Sequence, residues 1–289
     1  MATIRSAYSD RVKQMMGRVK LDMVITEQNV RQEANKEILP FFDSMLEDLL
    51  QPGSGILGLE HLIELFDKAK AGSSCLLLLE HYSNFDLPAF SYLVRKASPR
   101  GQEIADAVVA IAGMKLNEEN PLVSALTSAF SRIVIYPSRS QSNVDPEAAR
   151  QELIRSNAIN RAAMKALNDV KKEGKLVLVF PAGTRFRPWA PETRKGVREI
   201  DSYIKAFDYM CLVSINGEVL KIQKGDMTED LLEKDVILME AGPVIPCDEF
   251  RDANKNAVPE DADKKQAVVD AVMSRLEVMH LKNEKLRLQ

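Results

Sequence analysis

A histidine and an aspartate five positions apart are the residues of this chain best suited to proton transfer. They lie in Glu80-His81-Tyr82-Ser83-Asn84-Phe85-Asp86, directly after the apolar run from Cys75 to Leu79. Imidazole titrates near neutral pH, and a carboxylate partner fixes its tautomer and stabilises the cation formed on proton uptake. The pair has the composition of a general base, although a turn histidine beside a helix-capping aspartate has the same composition.

The two residues can meet only if the chain turns between them. Positions five apart on one helix lie roughly 140° apart, because each residue advances about 100°. The apolar run shows no alternation from Leu76 to Leu79, which predicts a buried strand. Pro88 is tolerated only in the first turn of a helix. We therefore expect a strand, a turn that carries His81, and a helix that opens near Phe85 with Asp86 in its first turn.

A pair of arginines follows a second buried strand, Leu176 to Phe180. Pro188 biases Arg187 towards extended geometry, in which residues two positions apart face the same way. Arg185 and Arg187 are therefore expected to form a paired guanidinium surface that suits a phosphate. The alternative is two surface arginines in a loop.

A third apolar run, Ile133 to Tyr136, is followed by Pro137 and Arg139. The sites of α/β sheets lie beyond the carboxyl ends of their strands. Each of the three strands is followed by a loop with a histidine or arginine side chain. They therefore predict an α/β sheet with one site at the carboxyl ends of its strands.

Together these segments resemble the ordered blocks of the glycerolipid acyltransferases, which include glycerol-3-phosphate and lysophosphatidate acyltransferases. The blocks are His81 to Asp86, Ala112-Gly113-Met114-Lys115 running to Tyr136-Pro137-Ser138-Arg139, and Phe180-Pro181-Ala182-Gly183-Thr184-Arg185. The chain is most similar to the soluble, chloroplast-type glycerol-3-phosphate acyltransferases, and the resemblance covers roughly residues 70 to 220. It implies that His81 and Asp86 form the catalytic pair. It also implies that Arg139, Arg185 and Arg187 hold the substrate phosphate, and we add Lys115 to this candidate set.

Two positions depart from the pattern of the superfamily. Most members carry Glu where this chain has Ala182, but the soluble branch lacks that Glu as well. A fourth block is recognisable only as Tyr209 to Ile215, without its usual proline.

The function that the resemblance implies is acyl transfer in phospholipid biosynthesis. The donor is acyl-carrier protein or acyl-CoA, the acceptor is glycerol-3-phosphate, and the product is lysophosphatidate. A thioester is already activated, so no metal or nucleotide cofactor is expected. Two alternatives remain: a lysophosphatidate acyltransferase that makes phosphatidate, and a non-catalytic phosphate- or lipid-binding protein on the same scaffold.

Composition agrees with a soluble enzyme. The chain has 289 residues, of which 45% are hydrophobic. Its net charge is only −3, so it lacks the overall positive charge that attracts nucleic acid. No apolar stretch approaches the roughly 20 residues that a spanning helix needs, and the N-terminus lacks the apolar core of a signal peptide. Cys75, Cys211 and Cys247 are expected to be buried thiols in a reducing compartment. We expect a cytoplasmic or plastid-stromal protein, soluble or peripheral to a membrane.

Strand and helix signals alternate from Ser74 onwards, whereas residues 1–70 show helical patterns and no strand signal. The predicted architecture is an α/β domain at 71–289, with a mixed sheet flanked by helices, and a smaller helical subdomain at 1–70. Residues 1–20 are basic, which indicates a solvated helix face or a helix that contacts a membrane surface or an acidic carrier protein.

Overall fold

The computed structural model describes residues 2–19, 24–114, 121–137, 146–225 and 227–289. Strands and helices alternate through the middle of the chain, as expected for an α/β protein. The strands are β1 (Ala2–Thr3), β2 (Arg31–Gln32), β3 (Gly55–Leu57), β4 (Cys75–Leu79), β5 (Val108–Gly113), β6 (Arg132–Ile135), β7 (Leu176–Val179), β8 (Tyr209–Asn216), β9 (Leu220–Lys221), β10 (Leu231–Leu232), β11 (Leu238–Ala241) and β12 (Ile245–Pro246). The helices are α1 (Ile4–Ala7), α2 (Ser9–Met16), α3 (Leu39–Leu49), α4 (Leu59–Lys70), α5 (Asp86–Ala97), α6 (Gly101–Ala107), α7 (Pro121–Thr127), α8 (Pro146–Lys172), α9 (Ile200–Ala206), α10 (Cys247–Asn256) and α11 (Lys264–Arg287).

The predicted mixed sheet is confirmed. Its strand order is β2-β6-β5-β7-β4-β8-β11-β3, with β12 paired to β8. The five central strands of this order, from β6 to β8, are parallel to one another. At the two edges, β2 runs antiparallel to β6, and β11 runs antiparallel to β8 and parallel to β3. A second, small antiparallel sheet consists of β1, β10 and β9. Because parallel strands are covered on both faces, β4 is buried at all five positions, which explains its apolar run without alternation.

Helices cover both faces of the large sheet and form two hydrophobic cores. Leu77 and Leu79 of β4 belong to the first core, together with side chains of α3 to α7. Leu76 and Leu78 belong to the second core, together with side chains of α8 to α11. The alternation of side chains along a strand therefore supplies both layers from one apolar sequence.

Three short strands correct the prediction for the N-terminal part of the chain. The absence of strands from residues 1–70 was expected, but β1, β2 and β3 all lie there, and β2 and β3 pair with strands of the large sheet. Strands of two or three residues are too short to show a period-2 pattern. The helices α2, α3 and α4 agree with the helical patterns expected of residues 1–70.

Residues 1–70 also contribute to both hydrophobic cores. Ile4 and Phe42 pack in the first core, and Ile25 and Val30 pack in the second. The boundary at residue 70 stays a prediction. In the part of the chain that the structure describes, no helix combines the length and apolar character needed to cross a bilayer.

Candidate active site

The segment between β4 and α5 brings His81 and Asp86 together. The strand ends at Leu79 and the helix begins at Asp86, so the expected strand, turn and helix are confirmed. Nδ1 of His81 lies 2.8 Å from Oδ2 of Asp86. The aspartate is buried and the imidazole is 16% exposed, so the ring is the member of the pair that reaches solvent.

Asp86 is held by more than its histidine. The backbone N–H groups of Tyr82 and Ser83 donate to the same Oδ2 atom, at 2.6 Å and 2.9 Å. Three donors on one oxygen fix the carboxylate and therefore the direction of the imidazole ring. Since Nδ1 is engaged by Asp86, Nε2 is the ring nitrogen left for a substrate.

Phe180, at the end of β7, packs against the imidazole. The two rings are stacked, with centroids 3.9 Å apart and an interplanar angle of 16°. The backbone N–H of Phe186 donates to the carbonyl of His81 at 2.8 Å. The loop after β7 is thus attached to the turn that carries the histidine. Gly183, with a φ of 65°, gives this loop the left-handed conformation with which it turns back towards that turn.

A large cleft opens beside His81, with a volume of about 1520 Å³. Most of its wall is apolar and includes Phe42, Phe85, Leu126 and Phe130. A site of this size and character fits a long hydrocarbon chain better than a small polar molecule. Ala182, at the position where most of the superfamily carries Glu, also lies on this wall.

The two arginines after β7 lie in different environments, contrary to the expectation that they share one face. Arg187 is half-buried and lines the cleft. Arg185 is buried and forms an ion pair with Asp230, which is itself buried. Arg185 is paired with this carboxylate and does not line the cleft, so the segment presents one arginine to the cleft instead of two. Phosphate binding by Arg185 and Arg187 stays a prediction.

The other two phosphate-binding candidates, Arg139 and Lys115, lie outside the described residues. Lys195 is an exposed cation that also lines the cleft. The fourth block, Tyr209 to Ile215, forms most of β8, which pairs with β4. None of its residues lines the cleft.

A second acid-imidazole pair lies directly behind the first and was not identified from the sequence. Nδ1 of His280, on α11, lies 3.0 Å from Oε2 of Glu80. The hydroxyl of Tyr82 donates to Oε1 of Glu80 at 3.0 Å, and the backbone N–H of Ile215 donates to Oε2 at 2.8 Å. Glu80 and His280 are 200 positions apart, so no local pattern could have indicated the contact.

Glu218 is a further titratable group near Asp86. Burial, and then the negative charge of Asp86, raise the pKa of the Glu218 carboxyl to about 7. Both residues line a small gap between the start of α5 and the end of β8. The negative charge of Asp86 therefore acts on Glu218 as well as on His81.

The family of the chain follows from comparison with known proteins. None of the curated proteins compared with the chain matches it significantly. The model of the family described as Acyltransferase matches residues 60–228, which is more than half of the chain and includes β4, the turn with His81 and Asp86, and the loop with Arg187. The chain belongs to the acyltransferase family, within the glycerolipid acyltransferase superfamily.

Proposed function

We propose that this protein transfers a fatty acyl group from an acyl thioester to a hydroxyl of glycerol-3-phosphate, which gives lysophosphatidate. The observation that carries the proposal is the His81–Asp86 pair on an apolar cleft that Arg187 also lines. These features supply a base for the hydroxyl, a surface for the acyl chain and a cation for the phosphate.

His81 acts as the general base. Its Nε2 takes the proton of the acceptor hydroxyl while that oxygen attacks the thioester carbonyl. The ester C–O bond forms, the C–S bond breaks, and the thiolate leaves with the proton that His81 received. Asp86 stabilises the imidazolium during the transfer, and its two backbone hydrogen bonds keep it in place. A positioned base of this kind contributes roughly 10²–10⁴-fold to the rate.

Arg187 binds the phosphate of the acceptor. Its backbone N–H donates to Oγ1 of Thr193 at 2.8 Å, which fixes the loop, and the guanidinium lies on the cleft wall. A phosphate held there places the glycerol hydroxyl near His81 and converts a bimolecular reaction into an oriented one. Arg139, Arg185 and Lys115 remain further candidates for the same contact.

The donor is acyl-carrier protein or acyl-CoA, and the thioester needs no metal or nucleotide for its activation. The preference for these donors comes from the resemblance to the soluble acyltransferases. The preference for the cytoplasm or the plastid stroma rests also on the composition of the chain and on its three cysteines. The apolar wall of the cleft supports binding of the acyl chain, which both donors share.

A lysophosphatidate acyltransferase is the second candidate, and the size of the cleft favours it. A volume of about 1520 Å³ exceeds that of most small-molecule sites and has room for a lipid acceptor beside the donor chain. Its acceptor carries a phosphate as well, so the role of Arg187 would be the same.

One assay separates these candidates from a non-catalytic protein. Purified protein is incubated with labelled palmitoyl-CoA and with either glycerol-3-phosphate or lysophosphatidate, without added vesicles. We expect labelled lysophosphatidate from glycerol-3-phosphate. Labelled phosphatidate alone would assign the second candidate, and no labelled ester from either acceptor, with acyl-carrier protein also tested as donor, would indicate a binding protein.

A further inference from the structure

One buried cation on the cleft wall has no part in the proposed reaction. Arg132, the first residue of β6, is 4% exposed and lines the cleft. One of its terminal nitrogens donates to the carbonyl of Thr127, at the end of α7. Its Nε is buried and has no hydrogen-bond partner, and no carboxylate contacts the guanidinium within the described part of the chain.

This is an unusual position for an arginine. A buried guanidinium normally has a carboxylate partner, because an unpaired buried charge is strongly disfavoured. Burial lowers the pKa of Arg132 to about 10, and no nearby acid raises it again. The hydrogen bond to Thr127 satisfies one of the five donors of the side chain. A second donor, Nε, is buried and has no partner among the described residues.

The sheet register gives the distance from Arg132 to the catalytic turn. Arg132 is paired with Ala110, which lies in line with Leu178 and Leu77 on the neighbouring strands. His81 follows four positions after Leu77, and three strand spacings separate β6 from β4. With a rise of about 3.3 Å per residue and about 4.8 Å between strands, the two Cα atoms are roughly 20 Å apart.

An aromatic path connects the two places. Phe85 precedes Asp86 and packs on Phe42, with ring centroids 5.5 Å apart. Phe42 packs in turn on Phe130, with centroids 5.7 Å apart, and Phe130 lies two positions before Arg132. All three rings line the cleft. An acyl chain whose carbonyl lies at His81 can therefore follow these rings towards Arg132.

The acceptor phosphate does not fit this position. Glycerol-3-phosphate is short, so its phosphate must lie close to the hydroxyl that His81 activates, and Arg187 lies in the loop attached to that turn. A group that meets Arg132 must lie at the far end of a long substrate. The acyl chain and the phosphopantetheine arm of the donor both have that length. The arm must lead out to the coenzyme or the carrier protein in solvent, whereas Arg132 is buried on a mostly apolar wall, so the acyl chain is the part that fits this position.

We propose that Arg132 is a specificity residue that binds a hydrogen-bond acceptor, most strongly a carboxylate, at the far end of the acyl chain. The inference rests on the proposed function, because it assigns the cleft to the acyl donor. A chain that ends in a methyl group and reaches Arg132 removes the remaining water from the guanidinium and gives no hydrogen bond in return. A chain of the same length that ends in a carboxylate makes a charge-assisted contact instead.

The test compares pairs of acyl-CoA donors from octanoyl to stearoyl, each with a methyl end and with a terminal carboxylate, at saturating glycerol-3-phosphate. For chains long enough to reach Arg132, we expect wild type to use the carboxylate-ended donor with a kcat/KM about 10- to 100-fold higher. Arg132→Met, which keeps an unbranched side chain without charge, should prefer the methyl-ended donor. Arg132→Lys should keep part of the wild-type preference, since an ammonium retains the charge but not the forked geometry.

Two results would overturn the proposal. Wild type and Arg132→Met could show the same preference for chain ends at every length, which would make Arg132 a structural contact of α7 only. Arg132→Met could instead raise the KM for glycerol-3-phosphate, which would assign the cation to the acceptor.

Equilibrium binding separates this inference from the proposed function. Methyl hexadecanoate and the monomethyl ester of hexadecanedioic acid, which differ only by one terminal carboxylate, are titrated into wild type and both variants, by displacement of a fluorescent fatty acid. Preference of wild type for the ester with the carboxylate, lost in Arg132→Met, supports the inference even if no acyl transfer is found. If Arg132→Met does not fold, Arg132→Lys decides: an unchanged chain-end preference in binding and in turnover contradicts the role of the guanidinium.

Discussion

At the scale of single residues, the candidate site depends on one carboxylate oxygen. Oδ2 of Asp86 accepts from the ring of His81 and from the backbone of Tyr82 and Ser83. Two of the three donors are backbone groups, so the turn itself holds the aspartate. A substitution of Asn84 that preserves the turn should therefore preserve the pair. The chemistry of the site is thus specified locally, within seven residues.

Arg187 offers the most direct test of phosphate binding. A charge-assisted contact contributes about 1.5–3 kcal/mol, so Arg187→Ala should raise the KM for glycerol-3-phosphate by roughly 10- to 150-fold and leave the KM for the acyl donor unchanged. Arg187→Lys should restore part of the loss. Steady-state kinetics with each substrate varied in turn measures both constants.

Arg198 is a matched control for this substitution, because it is an exposed arginine outside the cleft, paired with Asp263. Arg198→Ala should leave both constants unchanged. Equal effects of the two alanine variants on the KM for glycerol-3-phosphate would show that Arg187 acts only through the general charge of the surface.

Glu218 gives stability a defined dependence on pH. Its carboxyl has a pKa raised from 4.5 to about 7 by burial and by Asp86. The folded protein therefore holds this proton more tightly than the unfolded chain. The resulting stabilisation is fully present below about pH 4.5 and is lost as the pH rises through 7. Glu218→Gln cannot ionise, so its free energy of unfolding relative to wild type should rise between about pH 5 and about pH 8.

Urea denaturation of both proteins at the two pH values measures this difference. Glu260→Gln, at an exposed position, is the control, and its free energy of unfolding relative to wild type should be the same at both pH values. An identical pH dependence of wild type and Glu218→Gln would mean that Glu218 titrates in the same way in the folded and unfolded states.

At the scale of elements, the predictable features are those with local causes. The apolar run of β4 and the helix start at Asp86 follow from neighbouring residues, and both lie where the sequence predicts them. The ion pair of Arg185 with Asp230 joins residues 45 positions apart, and it overrides the direction that Pro188 indicates for Arg185. The edge strands β2 and β3 were missed because their pairing partners, rather than their own residues, determine them.

The C-terminal helix α11 is expected to fix the catalytic turn through His280. The imidazole contacts Glu80 at 3.0 Å and the hydroxyl of Tyr82 at 3.2 Å, on either side of His81 in sequence. His280→Ala leaves the buried Glu80 with one partner fewer, so we expect a loss of about 1–3 kcal/mol in the free energy of unfolding. We also expect a lower kcat with little change in the KM of either substrate, since the turn that orients His81 becomes less fixed.

Chemical denaturation and steady-state kinetics measure these two effects. Glu277→Gln, at an exposed position of the same helix, is the control and should change neither. A variant His280→Ala with wild-type kcat would show that α11 supports the fold alone and does not position the base.

At the scale of the whole molecule, one sheet with a core on each face holds the chain together. Residues from the first helix to the last contribute to the two cores, so the N-terminal and C-terminal parts share the same interior. The fold class followed from the alternation of strand and helix signals. The way in which residues 1–70 join this interior depends on contacts between distant parts of the chain, and no pattern within those residues predicts it.

The three thiols should report on the integrity of this interior. Cys75, Cys211 and Cys247 are free and buried, as the sequence predicts, and burial raises the pKa of Cys75 and of Cys247 to about 12. The thiolate is the reactive form, so labelling by Ellman's reagent at neutral pH should require unfolding of the protein. We expect three thiols to react rapidly in denaturant and very slowly without it. Rapid reaction of one thiol in the native protein would reveal local opening of a core.

Turnover of His81→Ala tests the role of the His81–Asp86 pair most directly. It is measured with palmitoyl-CoA and glycerol-3-phosphate, beside wild type, Asp86→Asn and His61→Ala, in which the substituted histidine lies outside the cleft. Loss of a positioned base should lower the kcat of His81→Ala by about 10²–10⁴-fold, with Asp86→Asn nearly as damaging and His61→Ala close to wild type. The unfolding transition of His81→Ala should stay close to that of wild type, which would exclude loss of the fold as the cause. Retention by His81→Ala of more than about a tenth of the wild-type kcat would contradict the assignment of His81 as the general base.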